Sequence, residues 1–149
     1  MAGLFSAVLG LLAGAFIAVQ APINAELSRG LGMPVAAAAA SFVAGAVVLA
    51  AVSALLAGTQ GVSIAWRAPP PWMFVAGGCL GAAYVTIALT LTPRLGAAAT
   101  MAFIVTGQLL AGMIVDRLGV LGVAVREISL GRMAGAALLL AGAVLIRIY

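Results

Sequence analysis

The stretch Pro34–Leu56, PVAAAAASFVAGAVVLAAVSALL, carries no charged side chain over the length at which a helix crosses a bilayer, about 20 mostly apolar residues. On its N-terminal side, Arg29-Gly-Leu-Gly-Met-Pro34 reads as a connector. Its glycines stop one helix, and Pro34 suits the first turn of the next. Before that connector an apolar run extends from Leu4 to about Asn24 and continues as helix to Ser28, with Pro22 as a kink near its end. On the C-terminal side, Gly58 to Pro71 is a loop closed by three prolines, which cannot continue a helix. Trp72 follows at interfacial depth, where indole rings are favoured. A third span then runs to Leu91, Thr92-Pro-Arg-Leu-Gly96 reads as a tight turn, and a fourth span occupies Ala97 to Val115. Asp116 to Leu130 is the longest polar connector, and the last span ends on Arg147 and Tyr149, a snorkelling and anchoring pair.

The expectation is an all-α integral membrane fold: a single transmembrane domain over residues 1–149 with five helices at about 4–28, 34–56, 72–91, 97–115 and 131–148. Composition agrees, with 66% hydrophobic residues, 7% charged and a mean hydropathy of +1.31, against roughly 25% charged residues in soluble domains. The N-terminal run is read as the first span and not as a secretory signal, because no basic region precedes Leu4 and the rest of the chain is equally apolar.

The same composition excludes several classes of function. The net charge of +4 comes from seven scattered arginines against Glu26, Asp116 and Glu127, with no basic patch for a nucleic acid. Histidine is absent and Cys79 is the only cysteine, which removes a disulfide framework, a Cys/His metal site and a histidine-based triad. No cofactor or metal is expected, and an enzyme is the weakest reading, since no nucleophile is accompanied by a base.

Five spans place successive connectors on alternate faces. The face of the second and fourth connectors holds Arg67, Arg117, Arg126 and Arg132; the other holds Arg29, Arg94 and Arg147. Because the excess of Lys and Arg in short loops sets orientation, four against three is a weak signal and points to dual topology. Two oppositely inserted copies form a ten-helix antiparallel dimer with a two-fold axis in the membrane plane, the symmetry that many transporters encode as inverted repeats. Small residues at helical spacing, Ser41 and Gly45, Gly77 and Gly81, Gly131 and Gly135, read as sites of close helix packing.

Polar side chains at membrane depth are the default functional candidates. Gln20 and Asn24 lie four apart on one helix face with Pro22 between them, Tyr84 shares a face with Gly77 and Gly81, and Gln108 stands beside Gly107. These four are the candidate substrate-binding residues, because amides offer both donors and acceptors to a neutral or anionic solute. The competing reading is that the amides bond one another across helices. Thr86, Thr90, Thr100 and Thr106 are expected to bond the preceding helical turn. No acidic residue lies mid-span, so proton coupling through a central carboxylate and cationic substrates lose support. Glu26 and Asp116 sit near span ends, Asp116 beside Arg117, as surface or interfacial charges.

The segments QAPINAELSRGLG, GGCLGAAYV, PRLGAA, TGQLLAGMIVDRLGVLG and RMAGAALLLAGAVLI, in this order, resemble the YdcZ-like family of short bacterial inner-membrane proteins in the drug/metabolite transporter superfamily. The most specific parts are Gly107-Gln108 followed by Ile114-Val115-Asp116 and Gly119, and the spacing of Gln20 to Asn24. The resemblance implies a multi-pass protein of the bacterial inner membrane, a five-helix unit that pairs with an inverted copy, either itself or a related chain. Compared with the small multidrug resistance branch, the first span lacks a glutamate and carries Gln20 instead. The expected function is a half-transporter moving a small polar or anionic solute by alternating access. A non-transporting scaffold or accessory subunit is the alternative.

Overall fold

The computed structural model describes residues 2–149. In chain order the helices are α1 (Ala2–Leu31), α2 (Pro34–Gln60), α3 (Pro71–Leu95), α4 (Ala97–Leu118) and α5 (Leu130–Ile148), with a short 3-10 turn at Val120–Gly122. All five helices are long and apolar enough to cross a membrane. At 1.5 Å per residue α1 is roughly 45 Å long and α5 roughly 28 Å, against a hydrocarbon core of about 30 Å. The ends of α1 therefore reach well past that core.

The helices overrun several of the expected connectors. Only Gly32 and Met33 separate α1 from α2, and Arg29 lies in the last turn of α1 with its guanidinium on Glu26. The expected tight turn at Thr92–Gly96 is instead the end of α3, which passes through Pro93 to Leu95. A proline forfeits one backbone bond but does not by itself reverse the chain. The break falls at Gly96, whose φ of 84° and ψ of 158° lie in a region open essentially to glycine alone. A second left-handed glycine, Gly119 at φ 61°, ends α4, and its N–H donates to the Val115 carbonyl at 2.9 Å. A Cβ on Gly119 would run into Val125 Cγ2.

The chain divides into two compact units, residues 1–90 and 91–149. In the first, α1 packs on α2, and a buried cluster joins Ala25 of α1, Ala37 and Ala38 of α2, and Val85 and Leu89 of α3. Tyr84 is half-buried against it. Alanines let the helix backbones approach closely, so packing rests on dispersion contacts and not on large interlocking side chains. In the second unit α4 packs on α5. The buried residues Ala99, Thr106 and Met113 of α4 recur every seven residues, as do Ala136 and Ala143 of α5, which keeps each set on one side of its helix.

Most of the large apolar side chains are outside, Val85, Leu89 and Met113 being the buried exceptions. Leu4, Phe16 and Leu138 are each more than 70% exposed, an arrangement that would cost roughly 1.5–3 kcal/mol per side chain in water. Hydrocarbon removes that cost. Glycines contribute less to packing within each unit than their spacing predicts. A Cβ on Gly81 would meet the Phe42 ring at 3.0 Å, whereas Cβ atoms on Gly45, Gly77 and Gly135 would meet nothing within 4 Å. The interior positions went to alanine, and these three glycines face open space.

Candidate functional site

Helix α1 presents Ile17, Gln20, Ala21 and Asn24 along one stripe, at the i, i+3, i+4, i+7 spacing that keeps residues on one face. Helix α3 sets Tyr84, Val85, Ala88 and Leu89 opposite them, and the two faces enclose a small notch. Its free volume is about 10 Å³, the room taken by one water molecule. Pro22 has no N–H, so the Ala18 carbonyl one turn earlier loses its usual helical partner.

Three of the four candidate residues, Gln20, Asn24 and Tyr84, thus line one notch. The fourth, Gln108, lies on α4 in the second unit, where its side chain is exposed. Gln20 is exposed, Tyr84 half-buried, and Asn24 only 5% exposed. The Asn24 carboxamide has no hydrogen bond with another described residue, but unlike Thr100 Oγ1 its polar atoms are not sealed from solvent, and the residue lines the notch. A fully buried group without a partner costs about 1–3 kcal/mol, and a partly accessible amide costs less. Gln20 and Gln108 likewise have no side-chain hydrogen bond among the described residues.

The threonines divide. Thr90 donates to the Thr86 carbonyl and Thr106 to the Ala102 carbonyl, both at 2.8 Å, as expected for hydroxyls that bond the preceding turn. Thr100 does not. It is fully buried, and its Oγ1 has no partner among the described residues, which its position in the sequence gives no means of separating from the other two.

No charged side chain lines the notch. Each of the three acids has an arginine: Glu26 pairs with Arg29, Asp116 with Arg132, and Glu127 with Arg117 at 3.7 Å. Asp116 reaches Arg132 across the α4–α5 connector and not its neighbour Arg117, because consecutive helical residues point about 100° apart. Arg132 also donates to the Glu127 carbonyl at 3.3 Å, its backbone N–H is capped by Ser129 Oγ at 3.3 Å, and the Arg126 N–H donates to the Asp116 carbonyl at 2.9 Å. These bonds tie the end of α4 to the start of α5. Among the described residues no three His, Cys, Asp or Glu side chains are grouped as a metal site.

Five apolar helices with their large side chains turned outward and their charges confined to helix ends and connectors define a multi-pass integral membrane protein. A family model described as "Putative inner membrane exporter, YdcZ" matches residues 5–145, and the chain belongs to that family. No curated protein and no solved structure matches it. Membership places the protein in the inner membrane and supports a transport role in preference to catalysis.

Proposed function

We propose that this chain is half of a small-solute transporter, in which two oppositely inserted copies, or this chain and a related one, enclose a central cavity and work by alternating access. The observation that carries the reading is Asn24, a residue only 5% exposed whose carboxamide has no partner among the described residues and lines a notch that it shares with Gln20 and Tyr84. An unpaired buried amide is a standing cost to the fold, and a solute that supplies the missing bonds would offset it. A volume of about 10 Å³ admits only the tip of a solute, so the rest of the site has to come from another surface. An opposed copy supplies one.

The charge distribution supports that partner. One face carries four arginines against Asp116 and Glu127, and the other three against Glu26, a net of +2 on each. Neither the arginine count nor the net charge favours one orientation strongly.

The test is to reconstitute the protein in liposomes loaded with a mixed pool of small polar solutes, and to follow their loss by mass spectrometry. Gln20→Leu and Gln108→Leu are expected to cut release of the transported species about tenfold or more, the loss associated with removing a hydrogen bond to a bound solute, with assembly intact. Altered assembly with unchanged release would instead identify a scaffold or accessory subunit.

A further inference from the structure

We infer that the cargo is an uncharged molecule presenting a hydrogen-bond donor and acceptor side by side, an amide, lactam or imide edge. The inference rests on the transporter reading above and narrows it from polar or anionic solutes to neutral ones.

The notch contains three hydrogen-bonding groups, the carboxamides of Gln20 and Asn24 and the phenol of Tyr84, and no Asp, Glu, Lys, Arg or His. All three acids in the chain already face an arginine at helix ends or in the α4–α5 connector. An ion entering the notch would therefore lose its hydration without gaining a countercharge from these walls, an unfavourable exchange in a low-dielectric setting. A neutral solute avoids that penalty.

The geometry of the buried group narrows the class further. A primary carboxamide donates from Nδ2 and accepts at Oδ1 in one plane. The complement that satisfies both at once is a cis-amide edge, which forms two parallel hydrogen bonds. Asn24 has both functions unpaired among the described residues, and Gln20 repeats them one turn earlier on the same face. The remaining walls, Ile17, Ala21, Val85 and Leu89 among them, are apolar and add no competing polar group around the amides. A site whose buried polar groups match a substrate's own rejects analogues that leave them unpaired.

Binding to the full chain in lipid nanodiscs tests this by saturation-transfer NMR with three probes of similar size: δ-valerolactam, piperidinium and valerate. The lactam is expected to give a signal at least about fivefold above empty discs, with the two ions near background, as a desolvation penalty on charge requires. Asn24→Leu is expected to remove the lactam signal. The near-isosteric Asn24→Asp, which keeps the volume and shape of the site, should lose the lactam and gain piperidinium. If valerate or piperidinium binds the unmodified protein and Asn24→Leu abolishes that signal, the site stands and the neutral class is overturned. A lactam signal unchanged in both variants overturns the site itself. Absence of any probe signal above empty discs overturns the lactam inference and leaves the solute-release test to decide the transporter reading.

Discussion

Asn24→Leu is expected to leave the protein at least as stable while abolishing the lactam signal proposed above. The substitution replaces a carboxamide that has no partner among the described residues, on a residue 5% exposed, with an apolar group of comparable size, which removes part of the roughly 1–3 kcal/mol desolvation penalty of a fully buried unpaired group. Part of that gain is lost to imperfect fit against Val85 and Leu89, so the net expected stabilisation is about 1 kcal/mol. In thermal unfolding in nanodiscs this is an upward shift of a few degrees. The paired signature separates a binding residue from a structural one. A structural asparagine loses stability on truncation, whereas a residue kept for a ligand trades stability for function. A lower melting temperature for Asn24→Leu would show that the carboxamide is satisfied in the folded protein.

Gly96→Val is expected to be the most damaging single change outside the notch. The single residue between α3 and α4 has φ 84° and ψ 158°, and forcing a β-branched side chain into that region costs about 3 kcal/mol. Net stabilities are commonly only 5–15 kcal/mol. The expected result is a large loss of monodisperse protein and a melting temperature many degrees lower. Gly77→Ala is the control, because Gly77 is helical and its Cβ would meet nothing within 4 Å. Alanine there gains about 0.5–1 kcal/mol in helix propensity. Equal behaviour of the two variants would show that the α3–α4 junction tolerates an ordinary backbone conformation.

These two positions also mark what a reader of the sequence can and cannot recover. The five helices are legible because each is a long apolar run bounded by charge, glycine or proline, and the bilayer demands that length. The α3 end is misread at Pro93, since proline and glycine both punctuate a chain and only the backbone angles decide which one turns it. Gln20 and Asn24 are recognisable as a same-face pair from their spacing. That Asn24 is buried and Gln20 exposed depends on where α3 crosses α1, a fact of packing that the periodicity of α1 does not contain. The partner of Asp116 is out of reach for the same reason: Arg132 lies sixteen residues away, beyond a connector whose path is set by Gly119 and Gly122 in left-handed conformations. The glycine pairs at helical spacing are only partly accounted for inside the chain, where Gly81 packs on the Phe42 ring. Gly45, Gly77 and Gly135 look like packing positions, yet within each unit alanines fill that role.

The opposed pair is the part of the account on which the rest depends, and it is tested by the sidedness of the two larger connectors in native membranes. Single cysteines at Ser63→Cys and Val123→Cys, both exposed positions, are placed in a Cys79→Ser background and labelled with a membrane-impermeant maleimide, in intact cells and then after permeabilisation. An antiparallel homodimer predicts that each cysteine is labelled from both sides in comparable amounts. Labelling of both connectors from one side only, in cells that express this chain alone, would contradict it.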